Sequence, residues 1–144
     1  MAPYRYSISL RIHHPSIDPA EITAELGEEP SNWQKAGTPH RTPTGRLLDR
    51  ISPTSFWVGL KSEGESRTRD LPAGLQELAA RLLPHRHFLH RLRDEGGDAE
   101  IFVGWFAAEQ GGDILPHELM SQLADLKIDI SFDLYVGEDE ASRE

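Results

Sequence analysis

Trp33-Gln34-Lys35-Ala36-Gly37 opens a polar run that continues through His40, Arg41 and Arg46 to Arg50. An indole beside several cations can serve as platform and clamp for an anion. The ring face takes a flat group, while Lys35, Arg41 and Arg46 pair with carboxylate or phosphate. Trp33 also has a structural use. Large aromatics usually serve burial, so the preferred expectation is a plug at a sheet edge, where a short strand follows the first helix. The cations then ride on a solvated loop.

His85-Arg86-His87-Phe88-Leu89-His90-Arg91-Leu92-Arg93 is the most basic stretch. On a helix, His87 neighbours both His90 and Arg91. Two imidazoles at this spacing could join a metal site. Spacing fixes no acidic ligand, however, and the His-Glu-x-x-His pattern is missing, so no metal is expected. A cationic face for a phosphate or an acidic partner is the better functional use, and a solvated helix face is the plainer one. The candidate binding residues are therefore Trp33, Lys35, His40, Arg41, Arg46, His87 and Arg91.

Nothing in the sequence assigns catalysis. His13-His14 and His117 belong to no recognisable triad, and no Gly-x-Ser-x-Gly elbow occurs. Neither Gly-x-Gly-x-x-Gly nor a phosphate-binding Gly-Lys-Ser/Thr loop is present, so no catalytic residue and no cofactor is expected. Asp129 and Asp133 share the polar face of the last strand. They could be paired carboxylates. The preferred account is an ion-paired sheet face with Arg5 and Arg11, if the terminal strands are neighbours.

These side chains need elements to hold them. Tyr4, Tyr6, Ile8, Leu10 and Ile12 alternate with Arg5, Ser7, Ser9 and Arg11, the pattern of a half-buried strand. Asp18 then reads as a helix N-cap, Pro19 as the first helical residue and Glu21 as the closing carboxylate of a capping box. Ile17 and Ile22 occupy the staple positions, and Gly27 can supply the left-handed terminal turn. Residues 28–53 are the least regular. Phe56, Val58 and Leu60 mark one face of a second strand. Leu75, Leu78, Ala79 and Leu82 mark a helix that begins near Pro72 and breaks at Pro84. A basic helix runs from about His85 to Glu95 and ends at Gly96-Gly97. Ala99 to Ala107 is apolar at both parities, which suits a central strand. A helix from about Pro116 to Leu126 precedes a strand of alternating Ile128, Ile130, Phe132, Leu134 and Val136. The acidic segment 138–144 is expected to fray.

The predicted core is Tyr6, Ile8, Leu10, Ile22, Leu26, Phe56, Val58, Leu75, Leu78, Leu82, Ile101, Val103, Leu119, Leu123, Ile130, Phe132 and Leu134. The spacing Pro19-x-Glu21-Ile22-x-x-x-Leu26 recurs as Pro116-x-Glu118-Leu119-x-x-x-Leu123. Two related strand–helix–strand halves would produce this, and so would the common placement of Pro and Glu early in helices.

A chain of 144 residues suits one domain. No cysteine occurs, which excludes disulfides and thiolate chemistry and is compatible with a reducing compartment. The first residues lack the apolar run of a signal peptide, and no stretch approaches a membrane span. A net charge of −9 disfavours general nucleic-acid binding and suits a basic partner.

Six pieces stand in a fixed order: Asp18-Pro19-Ala20-Glu21-Ile22, Leu26-Gly27-Glu28-Glu29-Pro30-Ser31, Trp33-Gln34-Lys35-Ala36-Gly37, Glu100-Ile101-Phe102-Val103-Gly104-Trp105-Phe106, Leu123-Ala124-Asp125-Leu126 and Asp129-Ile130-Ser131-Phe132-Asp133-Leu134-Tyr135. Taken together they resemble a bacterial family, domain-of-unknown-function family 4279. Two positions depart from the family pattern. Pro116-His117-Glu118 stands where Ser-Pro-Glu is usual, and Lys127 where glycine is usual. The resemblance implies no activity and no site residue.

The expectation is a single α+β domain spanning 1–137, with a mixed, largely antiparallel sheet and helices mainly on one face. Its arrangement is ferredoxin-like or a duplicated strand–helix–strand. The expected function is a non-enzymatic cytoplasmic protein-binding module, by analogy with small acidic immunity-type proteins that neutralise a toxin. The alternative is a small enzyme or ligand-binding domain that takes an anionic substrate with the 35–50 loop and the 85–93 helix. A homo-oligomer joined through sheet edges is a third possibility.

Overall fold

The chain begins with the strand that its alternation predicts, β1 (Arg5–His14), followed by α1 (Pro19–Leu26) and a short β2 (Asn32–Gln34). A small hairpin, β3 (Pro39–Arg41) and β4 (Leu47–Ile51), fills the irregular region, and β5 (Ser55–Glu65) follows. Then come α2 (Leu71–Leu82), a 3-10 turn at Leu83–His85, α3 (Arg86–Asp94), β6 (Asp98–Ala107), α4 (His117–Asp125) and β7 (Ile128–Val136). This computed structural model describes residues 2–137. The acidic segment 138–144 lies outside the described residues.

The main sheet has the order β2-β5-β1-β6-β7. All its pairings are antiparallel except that of β6 with β7. Both β1 and β2 run antiparallel to β5, so they are parallel to each other with β5 between them. The chain thus holds two parallel strand–helix–strand units, β1-α1-β2 and β6-α4-β7, the duplicated form of the expected α+β architecture. The sequence repeat is looser than it reads. Pro19 is the first residue of α1, capped by the Asp18 carboxylate on the Ala20 N–H at 3.0 Å, whereas Pro116 is itself the cap position of α4.

The helices cover one face of the sheet. Tyr6, Ile8, Leu10 and Ile12 of β1, with Ile101 and Val103 of β6, point into that layer and are buried. Each such side chain contributes about 1.5–3 kcal/mol by leaving water. They meet Ile22 and Leu26 of α1, Leu75 and Leu82 of α2, Leu89 and Leu92 of α3, and Leu119 and Leu123 of α4 in one continuous core. Tyr4 joins it, stacked on Trp105 at 3.8 Å between ring centroids. Its hydroxyl accepts the Leu71 N–H at 2.8 Å and donates to Asp113, so one phenol ties β1 to the start of α2 and to the loop after β6.

Three core expectations fail. Phe56 and Val58 are only half-buried and lie on the open face, while Trp57 between them is fully buried. The cause is a bulge. Leu10 pairs with Gly59 and Ile8 with Ser62, so an extra residue is accommodated at Leu60-Lys61, where Leu60 takes the left-handed φ of 52°. Leu60 then also reaches the core. Ile130 is only partly buried against the core, and Phe132 and Leu134 are exposed, because α4 covers just the first part of β7. Trp33, expected as a buried plug, is 37% exposed, and its neighbour Gln34 takes the interior position.

Lys127, where the resembling family has glycine, adopts φ 56° between α4 and β7. A side chain there costs about 1–2 kcal/mol. Lys127→Gly is therefore expected to raise unfolding free energy by about 1 kcal/mol, the flexibility of glycine offsetting the rest. The carbonyl that accepts from Arg93 at 2.7 Å is backbone and survives the change. Urea titration of the variant checks this.

Candidate functional site

One buried amide organises the loop of the first candidate site. Gln34 donates from Nε2 to the Pro39 carbonyl at 3.0 Å and to Thr38 Oγ1 at 3.1 Å, and its Oε1 accepts the Arg41 N–H at 2.8 Å. The β3–β4 hairpin is thereby fixed to the sheet edge. Arg41 is folded back: its guanidinium lies 3.9 Å from the Trp33 ring centroid and donates to the Trp33 carbonyl at 3.0 Å. Lys35 pairs with Asp18 at 3.4 Å. Beside Trp33 is a hollow of about 240 Å³ whose charged lining is Asp18 and Glu29. Two carboxylates make it the wrong sign for an anion. His40 is half-buried, and Arg46 is exposed in the hairpin turn.

The basic helix is neutralised from within the protein. Arg91 pairs with Glu21 of α1 and with Glu95. His85 meets Glu25 at 2.6 Å, and Arg81 of α2 meets Glu28 at 2.6 Å. On the other flank Arg86 grips Asp125 with two bonds of 2.7 and 3.0 Å, and His90 donates to the Asp125 carbonyl at 2.6 Å. Arg93 reaches Asp129 at 3.4 Å. The cations thus join α3 to α1 and α4, and Glu21, expected to close a capping box, carries its carboxylate to Arg91. Of the two α3 candidates, only His87 has its ring turned to solvent without a partner among the described residues. Lys35 of the 35–50 loop and Arg91 of α3 each turn to a different carboxylate at α1, Asp18 and Glu21, and not to a shared site. No cluster of three or more His, Asp or Glu able to hold a metal exists among the described residues.

His14 is a buried polar residue that sequence reasoning left without a role. Its Nδ1 accepts the N–H groups of Ser16 and Ile17 at 3.0 and 2.8 Å, which places the ring proton on Nε2, bonded to Glu95 at 2.9 Å. This bond, with the nearby Arg91, holds the Glu95 carboxyl below its ordinary value. Arg86 does the same to Asp125, and the Ala20 N–H with Lys35 to Asp18. These carboxylates titrate lower in the folded chain than in the unfolded one. Their contribution is complete above the unfolded range, about pH 4, and is lost as pH falls through the depressed folded values. Chemical melts at pH 5, 3 and 2 are expected to show Glu95→Gln and Asp125→Asn each losing less stability on acidification than the parent chain.

The expected pairing of Asp129 and Asp133 with Arg5 and Arg11 does not occur, because β6 separates β1 from β7. Asp129 is taken by Arg93, and Asp133 accepts the Tyr135 hydroxyl. Arg11 instead lies over Phe102.

β7 itself is the feature the sequence did not flag. It bonds to β6 on one side, and among the described residues its other edge is the edge of the sheet. On its helix side Phe132, Leu134 and Val136 are 46, 60 and 50% exposed. Its nine residues, Ile-Asp-Ile-Ser-Phe-Asp-Leu-Tyr-Val, contain no lysine and no proline, and the pairing runs without a bulge. Edge strands are usually blunted by such devices or by charge, and the charges of β7 are the two carboxylates Asp129 and Asp133. No helix among the described residues is long and apolar enough to cross a membrane.

Neither the comparison with curated proteins nor that with solved structures finds a match. The sequence model of a family described as a domain of unknown function, DUF4279, matches residues 4–137, from Tyr4, just before β1, to the glycine after β7. The chain therefore belongs to the DUF4279 family.

Proposed function

We propose that the protein is a non-enzymatic cytoplasmic binding module that receives an extended, basic segment of a partner protein along β7. The observation that carries this reading is the unguarded edge of β7 with its exposed Phe132, Leu134 and Val136. Strand addition to such an edge supplies main-chain hydrogen bonds, and alternate side chains supply specificity. The partner segment meets apolar side chains on one face and Asp129 and Asp133 on the other, which calls for alternating apolar and basic residues. Net charge −9 draws such a segment in from a distance. Charge also argues against a second copy: an antiparallel pairing centred on Ser131 sets Asp129 against the other chain's Asp133, and like charges opposite each other are destabilising.

The test uses two synthetic peptides, one alternating Val and Lys, the other Val and Glu. Hydrogen exchange is expected to slow at β7 with the lysine peptide alone, and Leu134→Lys is expected to abolish the effect. Protection elsewhere, or equal protection by both peptides, contradicts the proposal. A dimer of the parent chain in light scattering, lost in Leu134→Lys, transfers β7 to self-association.

A further inference from the structure

On the face of the sheet turned away from the helices, β1 and β5 lie side by side, with Phe56 opposite His13 and Val58 opposite Arg11. Lys61 projects there from the bulge, and Pro43 of the hairpin turn reaches in from the β2 side. Together they line a groove of about 480 Å³, within the range of about 300–1,000 Å³ typical of small-ligand pockets. No carboxylate lines it.

The cations of this groove differ from those that ion pairs hold elsewhere in the protein. Lys35, Arg69, Arg81, Arg86, Arg91 and Arg93 each pair with a carboxylate. Arg11 and Lys61 have no such partner among the described residues. Glu100 stands beside Arg11 in the register without an ion pair to it. The Arg11 guanidinium is held by the Phe102 ring at 3.8 Å, and its Nε is buried with no acceptor. Stacking positions the cation and leaves its N–H groups for a ligand, and a buried donor without a partner is a cost that an incoming acceptor removes. His13 is shared with Asp98 at 3.5 Å on the rim, so Arg11 and Lys61 carry the charge.

We infer that this groove binds a small organic anion, a carboxylate or phosphate on a flat apolar body. The charged head sits at Arg11 and Lys61, and the body rests on Phe56 and Val58 beside Pro43. The site is independent of the reading of β7, from which β6 separates it.

Phenyl phosphate titrated into the isotope-labelled full chain is expected to give saturable amide shifts around Arg11, Phe56 and Lys61. Inorganic phosphate is expected to bind about ten-fold more weakly, and Arg11→Met and Lys61→Met each to weaken phenyl phosphate about ten-fold, the scale of one charge-assisted contact. Lys61 is exposed, so its variant keeps the fold even if Arg11→Met does not. Shifts that do not saturate, that map to α3, or that ignore both substitutions overturn the site. Equal affinity for inorganic phosphate overturns its apolar half.

Discussion

Trp57→Ala is expected to lower the unfolding free energy by about 3–5 kcal/mol, the range for truncating a fully buried large aromatic. The indole has no exposed surface, and its Nε1 donates to Thr23 Oγ1 of α1 at 3.1 Å. Truncation opens a cavity between β5 and α1 and removes that bond. Trp33→Ala is expected to cost about 1 kcal/mol or less, because Trp33 keeps a large share of its surface in water and its stacking with Arg41 is of the size of an exposed cation–π contact. Stabilities of natural domains lie near 5–15 kcal/mol, so urea midpoints separate the two variants easily. A Trp33 variant less stable than the Trp57 variant would reverse the assignment of plug and surface aromatic.

That contrast marks where the sequence was legible. Regular alternation and caps carried far: β1, the Asp18–Pro19 start of α1 and the Gly27 end at φ 73° all stand where their chemistry puts them. In β5 both candidate faces are apolar, Phe56 and Val58 against Trp57, and period alone cannot choose between them. The choice rests on a bulge at Leu60-Lys61, whose one signal in the sequence is the preceding Gly59 inside the strand. β7 misled differently. Its alternation is perfect, but alternation reports which side chains share a face, not whether a helix covers that face. α4 ends its cover near Ile130, and the rest of the stripe meets water.

The candidate site was legible only as composition. A basic stretch in an acidic chain looks like an anion site until its partners are placed, and the partners of His85, Arg86 and Arg91 are Glu25, Asp125 and Glu21, on other helices. Conversely Arg11 read as one polar residue of a half-buried strand. Its isolation from carboxylates depends on strand order, which sequence spacing does not contain.

Gly74→Ala is the second large effect, and its sign runs against helix propensity. In an exposed helix interior the change would stabilise by about 1 kcal/mol. Gly74 is buried in the first turn of α2, and a Cβ there would stand 2.4 Å from the Tyr6 hydroxyl oxygen and 3.0 Å from the ring carbon Cε2. From the other side, a Cβ on Gly64 of β5 would stand 2.4 Å from the same oxygen and 2.5 Å from Cζ. The phenol is held between two glycines and cannot swing away. Overpacking of this kind costs about 1–3 kcal/mol, which outweighs the helix gain. The Tyr6 hydroxyl is buried without a hydrogen bond of good geometry: the Arg69 guanidinium lies close to it, but directs its N–H groups at Glu77, Ser62 and the Glu63 carbonyl. Tyr6→Phe therefore removes an unsatisfied polar atom together with the closest clash. In that background Gly74→Ala is expected to lose most of its cost, a coupling of about 1 kcal/mol or more between the two positions. Gly64→Ala is expected to stay destabilising there, since Cζ remains in its way. Denaturant titrations of the four-member Tyr6/Gly74 cycle, with Gly64→Ala in both backgrounds, read this directly. A Gly74→Ala cost equal in both backgrounds would place the strain in the α2 backbone and not at the phenol.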